Sequence, residues 1–371
     1  MKVFVYATIL FSLLIVAGCG NDDDGTGGNG QTPDNFDREA MLTTWVDQFV
    51  LPAYTDFLQS SEVMKTAASQ LNDAPDATTL ASMRTAFTQA YRDWQKISIY
   101  QIGRAEAIGL REQVNVYPTA VAGIEANISD GQYNLELPSE RDRQGFPALD
   151  YLLYGSAADE AAILDRLVNE GSLRAYILDL STRIDDLTRE VNQAWLDGFR
   201  DEFIQNSGSG ATASVDRFVN DFIFYYEKFL RAGKIGIPAG IFSGSELPTH
   251  VEARYNRAIG RTLTIDALDA AQGFFNGEAS DGMTNFGLAD YLDYLNTVKN
   301  GEDLSQLIND QFNAAREALL LLSEDLENQV ATDNVAVLRA YDELQKVVVL
   351  IKVDMLQALN VSVDFVDADG D

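Results

Sequence analysis

Apolar side chains recur every three or four residues along most of the chain, which is the spacing of an α-helix that buries one face. Long stripes of this kind occupy residues 173–195, 304–326 and 338–359, and shorter, aromatic-rich stripes occupy residues 83–94 and 215–230. The alternation of apolar and polar positions that marks a half-buried strand is nearly absent. The sequence therefore predicts an all-α protein built from bundled helices.

The amino terminus follows a different pattern. Lys2 precedes an uncharged apolar run from Val3 to Val16, which is shorter than the roughly 20 residues of a transmembrane helix and has the length of a signal-peptide core. The run ends in Val-Ala-Gly-Cys, the form of a lipoprotein-processing box, at Cys19, the only cysteine in the chain. We expect residues 1–18 to be removed and Cys19 to carry acyl chains, palmitate among them, that hold the protein to a membrane. An ordinary secretory signal with a chance cysteine is the alternative.

Residues 19–36 are rich in glycine, asparagine and aspartate. Such a composition lacks the apolar surface needed for packing, so the sequence predicts a flexible tether between lipid and body. Asp22, Asp23 and Asp24 resemble the signal that sends lipoproteins of Bacteroidetes-type bacteria to the outer face of the outer membrane. We therefore expect a lipid-anchored protein of the outer membrane at the cell surface. An acidic linker without that meaning, and a periplasmic location, are the alternatives.

The body divides at a polar, glycine-rich gap between two strong helical patterns. The predicted organisation is an N-terminal bundle over 37–206, a linker over 207–214, a C-terminal bundle over 215–361 and an acidic tail over 362–371.

A short echo relates the two halves. The segments Phe146–Tyr154 and Phe286–Tyr294 agree at Phe, Asp, Tyr, Leu and Tyr with an offset of 140 residues. An internal duplication would explain the echo and would make the surface between the bundles the natural place for a binding site. Chance agreement of common helical residues is the alternative.

Charge and composition exclude several functions. The formal net charge is −30 and the isoelectric point is near 4.2, which excludes nucleic acid as a partner because phosphate binding needs a basic face. His250 is the only histidine, so neither a two-histidine metal site nor a histidine-based catalytic triad can be assembled. The aspartates of the terminal Asp-Ala-Asp-Gly-Asp lack the frame and the late glutamate of a calcium loop, so an acidic tail is favoured.

Two loops dense in glycine, proline and charge, residues 101–118 and 231–244, follow aromatic-rich helices at corresponding places in the two halves. Ordered loops of this composition on a helical scaffold either cross the end of a bundle or line a site. Both readings stay open.

Several motifs in order resemble the imelysin family, which includes an insulin-cleaving membrane protease and iron-regulated lipoproteins. The resemblance covers the body from about residue 37 and rests on Trp94, Gly103-Arg104-Ala105-Glu106, Asn115-Val116-Tyr117-Pro118, the segment Gly145–Gly155 and Lys234-Ile-Gly-Ile-Pro238. The end of the chain, from Lys352 onward, is similar to the Bacteroidetes branch. This resemblance implies an envelope-attached protein of two related four-helix-bundle domains packed side by side, with a site between them. It also implies a link to iron uptake and a reported peptidase activity.

The chain departs from the family's Gly-x-His-x-x-Glu motif. Gly145 is present, but Pro147 stands in the histidine position and Asp150 in the glutamate position. Because proline can neither ligate a metal nor act as a base, Asp150 alone remains as a candidate ligand for iron or another divalent cation. The departure argues against a metallopeptidase.

These observations predict a non-catalytic lipoprotein that binds a small ligand or metal ion between its bundles and serves iron or nutrient uptake. A hydrolase and a structural surface module are the alternatives. Five residues are candidates for the interface site: Trp94, Arg104, Glu106, Asp150 and Lys234. Interdomain packing and salt bridges are the competing explanation for all of them.

Overall fold

Helices make up most of the computed structural model, which describes residues 35–278 and 286–363. The predictions for the signal peptide, for Cys19 and for residues 364–371 of the tail lie outside the described residues. Among the residues that are described, no helix is both long and apolar enough to cross a bilayer. From Phe36 onward the contacts between residues form one compact unit.

The α-helices, numbered in chain order, are α1 Arg38–Thr44, α2 Leu51–Asp73, α3 Ala77–Ile97, α4 Arg104–Ile108, α5 Leu110–Val114, α6 Val121–Asp130, α7 Gly145–Asp150, α8 Glu160–Asn169, α9 Gly171–Ala194, α10 Arg200–Gln205, α11 Ser214–Phe224, α12 Ile237–Ala239, α13 Gly260–Asn276, α14 Leu288–Tyr294, α15 Leu304–Leu320, α16 Leu326–Thr332, α17 Asn334–Val349 and α18 Leu356–Leu359. Widened π-helical segments at Trp45–Val50, Tyr151–Gly155, Trp195–Phe199, Tyr225–Gly236 and Leu350–Met355 join neighbouring α-helices. Pro138–Arg143 and Pro248–His250 are 3₁₀ turns. The described strands, β1 Val298–Lys299 and β2 Glu302–Asp303, form a small antiparallel hairpin in which Val298 faces Asp303. The all-α prediction is confirmed.

Local chemistry accounts for where the helices begin. At the start of α3, the Asp76 carboxylate accepts hydrogen bonds from the backbone N–H groups of Thr78 and Thr79, each at 2.8 Å. The Thr79 hydroxyl accepts one from the Asp76 N–H in return, at 3.0 Å. This reciprocal cap satisfies N–H groups that have no partner inside the helix. The stripe predicted for residues 173–195 lies on α9 and the π-helical turn after it, and its apolar side chains are buried.

The helices form two groups. In the first group α2 packs against α3 and α9, and Phe57, Phe87 and Trp94 surround Phe146 at ring-centroid distances of 6.0–6.4 Å. In the second group α15 packs against α13 and α17. The groups meet where α3 packs against α13. No helix covers residues 206–213, between α10 and α11.

The two echoing segments hold their aspartates differently. Asp150 is the last residue of α7, whereas Asp290 lies in the first turn of α14 and accepts a hydrogen bond from the Gly287 N–H at 2.8 Å. The common origin of the two halves stays a prediction.

Gly145 starts α7 with a φ of +76°. A Cβ at this position would lie 2.1 Å from the carbonyl oxygen of Val114, far closer than any real contact. Only glycine lets the chain pass this point, and the turn aims Phe146 and Asp150 into the core.

Gly145→Ala should destabilise the protein strongly. The positive φ alone costs an alanine on the order of 1–2 kcal/mol, and the contact with Val114 adds a further loss. Gly131 is a matched control because its φ is +62° but a Cβ there would meet nothing within 4 Å. Urea unfolding followed by circular dichroism should show a clearly larger loss of unfolding free energy for Gly145→Ala. Equal losses would show that the close approach to Val114 is unimportant.

Candidate functional site

A buried polar network joins the two helix groups. Lys234, from the π-helical segment after α11, and Glu252, from the loop after the second 3₁₀ turn, form an ion pair. Their side chains are only 3% and 1% exposed. Both residues belong to the second group, and their remaining partners come from the first.

Gln95 and Asn115 complete the network from α3 and from the end of α5. The Gln95 carbonyl oxygen accepts a hydrogen bond from Lys234 Nζ at 2.8 Å, and its amide nitrogen donates to Glu252 at 3.2 Å. The Asn115 amide nitrogen also donates to Glu252, at 2.7 Å, while its oxygen accepts from the Tyr91 hydroxyl at 2.8 Å. Every charged atom therefore has a partner, which is the condition for keeping charges in a medium of low dielectric constant.

A second ion pair crosses the same junction. Arg111 donates to both carboxylate oxygens of Asp221, at 2.8 and 3.0 Å, and its guanidinium lies 5.2 Å from the Tyr225 ring centre and 5.1 Å from that of Phe229. Burial raises the pKa of Asp221, and the charge of Arg111 opposes the rise. The planar fork of arginine matches a carboxylate in this two-bond geometry.

Between the two ion pairs lies a cavity of about 20 Å³ lined by Trp94, Gln95, Asn115, Tyr117 and Lys234 among others. That volume is about what one water molecule requires. This inner cavity is therefore too small for any larger ligand.

Asp150 is buried beside this network. Its two carboxylate oxygens accept hydrogen bonds from the backbone N–H groups of Tyr255 and Asn256, each at 2.8 Å. Burial raises the pKa of Asp150 to about 7, the two hydrogen bonds oppose the rise, and the negative charge of Glu252 adds to it. Asp150 thus clamps the loop that carries Glu252.

The residues around Asp150 do not fit a metal ion. Across the described parts of the chain, no group of three or more histidine, cysteine, aspartate or glutamate side chains is arranged to hold one. Both Asp150 oxygens already accept hydrogen bonds, and Pro147 offers no donor atom. A structural or catalytic transition-metal site takes three or four such protein ligands.

The five predicted site residues separate into two sets. Trp94 and Lys234 line the small cavity, and Asp150 holds the loop next to it. Arg104 and Glu106 lie on the surface, where Arg104 pairs with Glu190 at 2.6 Å and Glu106 pairs with Arg217 at 2.7 Å.

Sequence reasoning missed Gln95, Glu252 and Asp221. Gln95 and Asp221 lie on regular helices with no motif around them, and Glu252 follows the lone histidine in an irregular loop. Arg111 belongs to the first glycine-rich loop, so the composition of that loop was the one available signal.

An open cleft of about 320 Å³ lies at the edge of the junction, between α2, α3 and α13. Phe49, Tyr100 and Phe274 give it an apolar floor, and Asp56 and Asp269 are among its acidic lining residues. This volume is at the lower end of the range for small-molecule sites. It is larger than the inner cavity of about 20 Å³ and than a second open cleft of about 200 Å³, which Arg111 and Asp221 help to line.

Comparison with known proteins identifies a family and a relative that this chain resembles. The family model described as Imelysin matches residues 50–351. Iron-regulated protein A of Synechococcus elongatus is 25% identical over 321 residues, which cover 81% of this chain and 83% of the relative.

Two crystal structures share the fold. An imelysin-like protein from Psychrobacter arcticum superposes with a TM-score of 0.68 at 19% identity, covering 88% of this chain and 97% of the other. A putative iron-regulated protein A precursor from Parabacteroides distasonis gives a TM-score of 0.70 at 17% identity, covering 87% and 96%.

Breaking the Lys234–Glu252 pair should be costly. Lys234→Met and Glu252→Gln each leave a buried charge without its partner, so each should lower the unfolding free energy by about 3–5 kcal/mol. The double variant should recover part of the loss, and chemical denaturation of all four proteins measures the coupling. The exposed pair Arg104–Glu190 serves as control, with an expected coupling below about 1 kcal/mol. A Lys234–Glu252 coupling as small as that of the control would contradict the assigned role.

The raised pKa of Asp150 predicts a pH dependence of stability. Between its ordinary value of 3.8 and about 7, the folded state holds a proton that the unfolded state releases. Stability should therefore fall as pH rises through this window, by at most about 4 kcal/mol, and level off above it. Asp150→Asn should flatten this slope in pH-dependent urea unfolding, and it should also lower stability at pH 5 because the amide offers one acceptor oxygen instead of two. Asp56→Asn, on an exposed side chain, should leave the slope unchanged. An unaltered slope in Asp150→Asn would refute the assignment.

Proposed function

The chain belongs to the imelysin family, and from that premise we propose that it is a non-catalytic lipoprotein of the cell envelope that binds a small ligand at the junction of its two helix groups. The observation that carries the proposal is the contrast between the inner cavity and the cleft between α2, α3 and α13. The inner cavity is enclosed by mutually paired side chains, whereas the cleft of about 320 Å³ is open and has an aromatic floor.

Catalysis by a bound metal finds no support in the described residues. The histidine position of the family motif holds Pro147, which is buried, and Asp150 directs both oxygens at backbone N–H groups. A hydrolytic water would need an activating group with a free lone pair. The buried carboxylates Asp150, Asp221 and Glu252 all accept hydrogen bonds from groups within the protein, which hold their oxygens toward the fold.

The relatives support the proposal of a role in iron or nutrient uptake. The name of the cyanobacterial relative says that it is iron-regulated, and the structural neighbour from Parabacteroides distasonis carries the same description as a putative assignment. We carry this over to the present chain as an accessory role, in which the protein retains a ligand outside the cell rather than converting it. Binding of bare iron at Asp150 is not part of the proposal.

Lipid on Cys19 would place this body at the membrane. The processing box and the acidic, glycine-rich residues after it support export and anchoring, and the net charge of −30 supports a hydrophilic body held away from anionic surfaces.

Growth under iron limitation tests the proposal. A strain lacking this protein should grow poorly in iron-depleted medium, and the unaltered chain should restore growth. Gly273→Leu should not restore it, because Gly273 lines the cleft and a side chain there would extend into the cleft without a close backbone clash. Gly208→Leu is the matched control, since a Cβ at Gly208 would meet nothing within 4 Å, and it should restore growth. Cys19→Ala should lose palmitate labelling and move to the soluble fraction.

Three outcomes would contradict the proposal. Full rescue by Gly273→Leu would exclude the cleft. Palmitate labelling of Cys19→Ala would exclude the anchor. Cleavage of casein or insulin by the purified protein, blocked by a chelator, would favour the peptidase alternative.

A further inference from the structure

The first residues of the body are fixed against the second helix group by an aromatic clasp, which consists of Phe36, Phe286, Tyr291 and Tyr294. The Phe36 ring stacks on Tyr291 at a centroid distance of 4.1 Å and an interplanar angle of 14°. Its other neighbours are Tyr294 at 5.2 Å and Phe286 at 6.3 Å. Aromatic pairs at these distances add to the stability gained by burying their surface.

Polar contacts reinforce the clasp. Arg38 donates a hydrogen bond to the Tyr291 hydroxyl at 2.5 Å, and its guanidinium lies 5.4 Å from the centre of the Tyr291 ring. Asp37 caps α1 by accepting a hydrogen bond from the Ala40 N–H at 2.9 Å. The point at which the chain enters the body is therefore fixed on α14.

Large apolar side chains are exposed around this entry point. Phe286, Tyr294 and Val298 keep 48%, 50% and 58% of their surface exposed, and together they define the clasp face. Phenylalanine and tyrosine are the kind of side chain that partitions into the interface between lipid and water.

Tether length limits which face can meet the membrane. The 16 residues from Gly20 to Asn35 have a composition that predicts a root-mean-square span of about 20–24 Å. A compact unit of the size of residues 36–371 has a radius of gyration of about 20 Å and is therefore roughly 50 Å across. A lipid at Cys19 would thus hold the clasp face close to the bilayer and leave the opposite side out of reach for most of the time.

The acidic residues beside the clasp face restrict the kind of lipid surface that can lie against it. Asp290 and Asp293 lie on α14 with Tyr294, and Glu302 and Asp303 form β2, the strand that pairs with β1 and Val298. Lys299 pairs with Asp354. An anionic surface would repel this set, whereas zwitterionic headgroups would not.

We infer that the clasp face, formed by Phe286, Tyr294 and Val298, rests on the zwitterionic lipid surface of the membrane to which Cys19 anchors the protein. This inference rests on the proposed lipid anchor and adds the orientation of the body. The junction cleft then has a fixed orientation relative to the membrane, because the clasp and the junction belong to one compact unit.

Depth-dependent fluorescence quenching tests the inference with the full, lipidated chain in phosphatidylcholine vesicles. With Cys19 acylated, an introduced cysteine is the only free thiol and can carry one environment-sensitive fluorophore. Val298→Cys reports on the clasp face. Val335→Cys is the matched control because Val335 is similarly exposed, at 57%, and lies far from the clasp face. Lys299, next to Val298, pairs with Asp354, and Asp354 is about 28 Å from Val335 along the axis of α17 and its π-helical extension.

Brominated lipids should quench the Val298 probe several-fold more than the Val335 probe. Adding Phe286→Ser and Tyr294→Ser should remove most of this difference. The control pair Leu320→Ser and Leu321→Ser, at the end of α15 remote from the hairpin and 51% and 83% exposed, should preserve it. Vesicles containing phosphatidylglycerol should reduce the difference at low salt.

Flotation of the vesicles distinguishes failure of the lipid anchor from failure of the proposed orientation. Protein that floats with the vesicles while both probes are quenched equally would overturn the orientation and leave the anchor intact. Protein that does not float would overturn both. Equal quenching differences in the clasp and control serine variants would also overturn the role of the clasp face.

Discussion

The buried ion pair between Lys234 and Glu252 is the interaction on which the junction of the two helix groups depends. Neither charge could stay in this place alone, because removing an ion from water costs several kcal/mol that only a partner and further hydrogen bonds can offset. The partners Gln95 and Asn115 come from the first helix group. The second group can therefore keep its charges buried only while the first group is in place. Charge compensation thereby ties two sets of helices into one compact unit.

The same compensation explains how the carboxylate of Asp150 is used. Asp150 uses both carboxylate oxygens to hold the backbone of Tyr255 and Asn256, and that loop carries Glu252. A carboxylate in this arrangement stabilises the junction. The cleft between α2, α3 and α13 offers a binding surface of another kind, because it is open and has an aromatic floor.

The net charge and the proposed lipid anchor affect how the whole body is held near a membrane. A body with a net charge of −30 is repelled from anionic surfaces, so an anchored form would depend on its lipid and on short-range apolar contacts to stay close to a membrane. The aromatic clasp fixes the first described residues of the body on α14.

The sequence by itself determined the helices, since their period, their caps and their glycine stops are local. The stripe over residues 173–195 and the gap at 206–213 could be read directly, and the family motifs brought Trp94 and Lys234 to the same place. Only the tertiary structure decided that Glu252 pairs with Lys234, that Asp150 holds two backbone N–H groups, and that Arg104 and Glu106 remain on the surface. The reason is physical. Apolar periodicity depends on neighbours within a few residues, whereas the partner of a buried charge is chosen by long-range packing, and a backbone N–H donor leaves no mark in the sequence at all.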